Sequence, residues 1–123
     1  ETPSRIVDVI SNQFNSLAEK TNNYFIDYVV GYFKPLQISD VKAMPLSSTS
    51  AQITWTTNHS ATSKVNYGAT REYDGEFQNA QKVKKHQVFL ENLKPNTLYH
   101  YEVMSQNKSD YAYDADRIFQ TLK

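Results

Sequence analysis

A chain of 123 residues, 39% of them hydrophobic, can bury one sizeable core but is short for two full domains. Thirteen basic side chains balance thirteen acidic ones, so no global field draws in nucleic acid or an anionic membrane. The absence of cysteine excludes a disulfide framework, a thiolate nucleophile and a zinc–thiolate site, and no apolar run is long enough to span a bilayer.

The first residues lack the basic-then-apolar pattern of a signal peptide, so any leader is expected to have been removed already. Residues 1–35 show no β-alternation and read as one amphipathic helix, with a polar cap and proline at Thr2-Pro3-Ser4 and a stop at Pro35. At 100° per residue, Ile6, Ile10, Phe14, Leu17, Tyr24, Tyr28 and Tyr32 form a single stripe broken only by Thr21. Ile26, Val29, Val30 and Phe33 occupy a second face of the last turns, and Phe25 adds to this aromatic end. Each large apolar side chain left in water forfeits about 1.5–3 kcal/mol, so these faces are expected to be covered. Packing of the stripe on the rest of the chain would cover one face. Self-association through Ile6, Ile10, Phe14, Leu17, Tyr24, Phe25, Tyr28, Val29, Tyr32 and Phe33 would cover both, and is the expectation. Anchoring to a membrane surface lacks its electrostatic half, because Arg5, Lys20 and Lys34 are offset by Asp8, Glu19 and Asp27.

The pattern changes at Lys34-Pro35. Residues 36–123 carry ten of the basic and nine of the acidic side chains, and short alternating segments recur between Gly, Pro, Asn and Ser punctuation. Ile38 to Met44 is the first strand. Ala51, Ile53 and Trp55 alternate with Gln52, Thr54 and Thr56 in the second, and Ser63 to Gly68 follows after a polar turn at Asn58 to Thr62. A weak strand lies around Tyr73 to Phe77, and Val83 to Leu90 leads into the corner Leu93 to Tyr99. Tyr99, Tyr101 and Val103 then alternate with His100, Glu102 and Met104, Gln106 to Arg117 reads as an acidic loop, and Ile118 to Leu122 closes the sheet. The fold class is mainly β: a seven-stranded antiparallel β-sandwich over 36–123 with a long N-terminal α-helix over 1–35. Its structural core is expected at Ile53, Trp55, Val65, Tyr67, Leu93, Tyr99, Tyr101 and Val103.

Ala-x-Ile-x-Trp at Ala51, Ser-x-Val-x-Tyr-Gly at Ser63, and His86-x-Val-x-Leu-x-x-Leu-x-Pro-x-Thr-x-Tyr-x-Tyr-x-Val103 together resemble a fibronectin type III domain. They are similar in particular to the bacterial and archaeal variety and to the sandwich preceding the catalytic domain of purple acid phosphatases. The resemblance covers about residues 36–123 and leaves the N-terminal helix outside. It implies that Trp55 is the core tryptophan and that Tyr99 is the corner tyrosine, its hydroxyl bonding back to the backbone near Leu93. It also implies an extracellular or cell-surface setting. No Arg-Gly-Asp tripeptide occurs, so integrin binding by that route is unsupported.

Candidate chemistry is sparse. His59, His86 and His100 have no ligand spacing between them and read as surface or rim histidines. Asp110, Asp114 and Asp116 form the one local carboxylate group, but they depart from the calcium-loop pattern and read as solvated. Lys82, Lys84 and Lys85 suit an anionic ligand or an edge strand protected against pairing. Tyr111 and Tyr113 could stack on a glycan or a protein. Asn58-His-Ser60 and Asn107-Lys-Ser109 fit the glycosylation acceptor pattern. No nucleophile elbow and no glycine-rich phosphate loop is present. The sequence therefore predicts no enzyme, no catalytic, cofactor or metal residues and no cofactor. It predicts a structural protein that associates with itself through the N-terminal helix, forming an oligomer or a surface filament, with no nucleic acid and no membrane span. The alternative is an accessory domain of a larger hydrolase or a module binding a glycan or protein.

Overall fold

The alternation that begins at Ala51 persists further than the sequence led us to expect. In the computed structural model, which describes residues 34–108 and 110–123, the sandwich is built from five strands: β1 (Ile38–Pro45), β2 (Ala51–Gly68), β3 (Gly75–Leu90), β4 (Leu98–Gln106) and β5 (Tyr111–Gln120). The helix expected over Ile6 to Phe33, with all its self-association residues, lies outside the described residues.

Seven expected segments become five strands because two expected breaks are hydrogen-bonded through. In β2 the odd-numbered residues Ala51, Ile53, Trp55, Thr57, Ala61, Ser63 and Val65 all point inward, so the pleat keeps its parity across the expected turn at Asn58 to Thr62. The weak strand near Tyr73 likewise runs into the one ending at Leu90, giving the 16-residue β3. An unbent strand of 18 residues would span about 60 Å at about 3.3 Å per residue. A domain of this size has a radius of gyration of only about 12 Å. The β2–β3 pair must therefore fold over on itself.

The register shows where. Pairing is regular from Ala51↔Leu90 to Thr56↔Lys85 and again from Ser63↔Asn79 to Tyr67↔Gly75, with irregularities on both sides of Ala61↔Val83. From Thr56↔Lys85 to Ala61↔Val83, β2 advances five residues while β3 advances two; from there to Ser63↔Asn79, β2 advances two and β3 four. These opposed bulges crease both strands at one level. Below the crease β2 is flanked by β1 and the second half of β3; above it, by the first half of β3 and by β4, which pairs with β5. One bent hairpin thus supplies strands to both layers.

The core lies between them. Ala51, Ile53, Trp55, Val88 and Leu90 come from below the crease, and Val65, Tyr99, Tyr101, Val103 and Phe119 from above, with Leu93 at the corner. Tyr67 is partly buried at its margin. Each large side chain here is worth about 1.5–3 kcal/mol relative to exposure. The Trp55 indole N–H donates to Ser105 Oγ at 2.9 Å, joining the two layers through a buried hydrogen bond. At the corner the Lys94 N–H donates to the Tyr99 hydroxyl at 2.8 Å, and Thr121 Oγ1 donates to the Lys94 carbonyl at 2.6 Å. Asn92 and Asn96 take positive φ there (58° and 49°), a region that asparagine tolerates better than most residues.

Candidate functional site

The outer face of β2, β4 and β5 gathers most of the side chains with chemistry. At one end stands Asp116. From Tyr101↔Arg117 to Val103↔Asp114, β4 advances two residues and β5 three, so a bulge in β5 passes through Ala115-Asp116 and re-aims the carboxylate. Its Oδ1 accepts the Tyr73 hydroxyl at 2.6 Å, and its Oδ2 lies 2.8 Å from His100 Nδ1 and 3.4 Å from Arg71 Nε. Tyr73 sits in the connection between β2 and β3 with φ of 49°. Such a conformation is uncommon for a bulky residue and costs about 1–2 kcal/mol; the hydroxyl–carboxylate bond holds it in place.

The electrostatics follow from that geometry. The hydrogen bonds from Tyr73 and then His100 hold the Asp116 carboxyl below the usual carboxylate range. Burial, reinforced by the bond to Asp116, pushes the Tyr73 hydroxyl well above its ordinary value. An ionised carboxylate with both oxygens committed to neighbours acts here as a fastener. The cluster pins the β2–β3 connection to β5.

The three aspartates do not converge. Asp110 accepts the Leu36 and Tyr111 backbone N–H groups, both at 2.8 Å, and Asp114 pairs with Arg117 through Nε and, at 3.3 Å, Nη2. The hydrogen bond to Asp114 raises the Arg117 guanidinium further above its already high value. No group of three or more His, Asp or Glu side chains suited to a metal occurs among the described residues. The expected acidic loop is itself corrected: from Tyr111 onward it is β5, paired along its length with β4.

The histidine reading also needs correction. His86 is 2% exposed, stacked on Trp55 with ring centroids 4.8 Å apart and planes 2° from parallel. Nε2 lies 2.9 Å from Thr57 Oγ1 and Nδ1 lies 2.7 Å from Ser63 Oγ. Thr57 Oγ1 donates to the His59 carbonyl at 2.7 Å, so it accepts from Nε2–H, and Nδ1 accepts from Ser63. Burial lowers the His86 pKa. The ring is a neutral core residue at the crease. The pattern missed it because Thr57 and Ser63 lie 29 and 23 residues away in sequence.

Lys82, Lys84 and Lys85 are exposed on β3, which pairs with β2 alone and so forms the edge of each layer. Asn58 lies within β2, where its Oδ1 accepts the Gln37 N–H at 2.8 Å, and Asn107 caps a turn by accepting the Asp110 N–H at 2.9 Å. At the far end of the outer face from Asp116, a groove of about 520 Å³ opens between β2, β3 and β4. Tyr111 forms one wall and Met104 and Lys64 lie along it. Tyr113 stacks on Tyr111 with centroids 6.0 Å apart.

Comparison with known proteins agrees with this architecture. The FN1-FN3 domains of chicken CNTN1 match at 27% identity with a TM-score of 0.57 over 70% of this chain, which spans only 32% of theirs. The third fibronectin III domain of human KIAA0343 matches at 18% identity and TM-score 0.51, covering 69% of this chain and 80% of that one. The sensor domain of the anti-sigma factor RsgI4 in Pseudobacteroides cellulosolvens matches at 19% and 0.52, covering 72% and 96%. No curated protein matches the sequence. The family model described as the purple acid phosphatase N-terminal domain matches residues 38–121, a range that spans all five strands. With that match over most of its length, and with a fibronectin type III-like sandwich beneath it, the chain belongs to the purple acid phosphatase N-terminal domain family.

Proposed function

We propose that this chain is a non-catalytic structural module, in which the sandwich is a scaffold and residues Ile6 to Phe33 mediate self-association, as in an oligomer or surface filament. One observation carries the reading: the core cluster is assembled from side chains of the sandwich itself, Ala51 through Phe119. Among the described residues, no buried side-chain nitrogen or oxygen lacks a hydrogen-bond partner. The reading takes the apolar stripe at 6–33 as surplus to that core. The Asp116 cluster supports the non-catalytic half, because its carboxylate oxygens are both engaged in fastening. We place the module outside the cell or at its surface, a setting that its likeness to fibronectin type III domains favours. Sedimentation equilibrium tests the association. The full chain should show concentration-dependent mass and a chain starting at Leu36 should remain monomeric; two equally monomeric species would overturn the reading.

The family match favours a second reading, an accessory domain that positions the catalytic domain of a larger hydrolase. Its test is the native reading frame past Lys123. Metal-ligand motifs encoded there would support the accessory role, and a stop codon would oppose it.

A further inference from the structure

The groove beside Tyr111 is unlike the rest of the outer face. Its volume of about 520 Å³ falls in the range of small-molecule sites, which run from about 300 to 1,000 Å³. Its lining mixes amide and hydroxyl groups with Met104, Ala80 and the Tyr111 ring, with Lys64 as the single charged side chain and no carboxylate. Lys64 is itself 3.9 Å from Glu76, so even that charge is partly answered. With no carboxylate in the lining and one partly answered lysine, neither a metal ion nor a multiply charged anion is well matched.

Two features point to a specific chemistry. Tyr111 and Tyr113 are 53% and 61% exposed, although tyrosine rings are large enough to contribute heavily to a core. They sit two residues apart on the edge strand β5, stacked with ring planes 23° from parallel, which gives an exposed two-tyrosine platform, one ring backing the other, at the mouth of the groove. Beside the platform, the carboxamides of Gln106, the cross-strand neighbour of Tyr111, and of Gln78 on β3 line the groove. An apolar ring face next to paired donors and acceptors without net charge complements a sugar ring. The sugar has a C–H face to lay on an aromatic surface, and equatorial hydroxyls that both donate and accept.

We infer that the Tyr111–Tyr113 platform and the adjoining groove bind a neutral oligosaccharide, with a pyranose C–H face on the exposed tyrosine surface and the hydroxyls on Gln78 and Gln106. The lining holds no acid–base carboxylate pair, so the site binds the glycan and leaves its glycosidic bonds intact. Rigid tyrosines lose little entropy on binding, but an open site of this kind gives modest affinity, with Kd of about 0.1–1 mM. A platform continued by a groove favours a chain of sugars over a monosaccharide.

The test uses the full chain, labelled for NMR, and a panel of soluble hexaoses: cello-, xylo-, manno- and chitohexaose. At least one should shift the backbone amides of Gln78, Gln106, Tyr111 and Tyr113 saturably. Y111A and Y113A should each weaken that binding by about tenfold or more. Q78A should weaken it by several-fold, while F89A, on the opposite layer, leaves it unchanged. Both tyrosines are exposed, so Y111A and Y113A should retain the near-ultraviolet dichroism of buried Trp55, which reports an intact core. The inference is overturned if no hexaose shifts these amides at about 5 mM, if binding survives both tyrosine substitutions in folded protein, or if a proline-rich peptide occupies the platform where the sugars do not. Monomeric behaviour of the full chain would defeat the proposed self-association and leave this site untouched.

Discussion

His86 is the residue whose placement most changes the chemistry of the core. It is buried and neutral, with its tautomer fixed by the Thr57 and Ser63 hydroxyls. Its folded pKa lies below the value of about 6.5 that it has when unfolded. Between those two values the unfolded chain binds the extra proton, so stability rises with pH through that window and is lost as pH falls below about 6.5. Asp116 has the opposite character. Its folded pKa is depressed, so its contribution is present above the unfolded value of about 3.9 and disappears as pH falls through the folded one. Acid should therefore weaken the sandwich in two steps. Urea unfolding at pH 7.5 and pH 5.0 should show a loss of stability for the native chain, approaching about 1.4 kcal/mol per pH unit at its steepest for one proton. H86Q should flatten that slope while costing about 1–3 kcal/mol at pH 7.5 through lost stacking and imperfect partners for the two hydroxyls. An unchanged slope in H86Q would show that another group carries the effect.

At the scale of elements, the connection between β2 and β3 is bounded by two glycines with little room for a side chain. A Cβ added at Gly75 would lie 2.7 Å from Tyr67 Cε2 and 3.0 Å from the Tyr67 carbonyl oxygen, so both a half-buried ring and a backbone atom would have to move. At Gly68 the nearest obstacle, at 2.5 Å, is the flexible end of Asp74, although its backbone N is 3.1 Å away. G75A should accordingly lower stability by about 1–3 kcal/mol, and more than G68A does, when both are measured by chemical denaturation. Equal effects would mean that the Tyr67 ring yields freely. The same connection is fastened at a distance by Asp116. D116N should speed amide exchange at residues 70–74 without altering that of Ile53 or Val65. Strands with large inward residues were legible as sequence: Ile53 and Trp55, or Tyr99, Tyr101 and Val103, alternate with polar neighbours and could not be mistaken. The stretch from Thr57 to Ser63 was not, because its inward positions are small or polar and their burial depends on partners in β3. The start of β5 was hidden for the converse reason, since Tyr111 and Tyr113 face outward and Asp114 and Asp116 give an acidic pattern that imitates a loop.

For the whole molecule, the weak point of an open sandwich is its edges. β3 forms an edge in each layer, and Lys82, Lys84 and Lys85 stand exposed near the crease where it passes between them. Lysine there opposes pairing with another chain, which would have to desolvate the charges and set like against like. Replacing Lys82 and Lys84 by valine should leave the unfolding free energy within about 0.5 kcal/mol of the native value but promote aggregation, read by light scattering at micromolar protein. A soluble double variant would show that the crease itself already prevents docking. The candidate sites were less legible than the fold for a reason of distance. The Asp116 fastening joins residues 71, 73, 100 and 116, and the groove joins β2, β3 and β4 to Tyr111, so neither has a local signature. The tyrosine pair was visible in advance as a unit, whereas Asp116 and His100 stood out singly, without the partners that join them.

The creased β2–β3 hairpin has a consequence for how the chain finds its shape. In most two-layer sheets the layers are separate ribbons, joined by loops that must close before any packing is gained. Here a single local zipper, started at the short connection between Gly68 and Gly75, already carries a strand pair of each layer and the ring stack of Trp55 on His86. Closing so short a connection costs little entropy, because that cost grows only with the logarithm of its length. The search for the partner layer is then no longer a search: the second half of the hairpin is already tethered where the first half needs it, and β1, β4 and β5 add to a template that has chosen its own fold line.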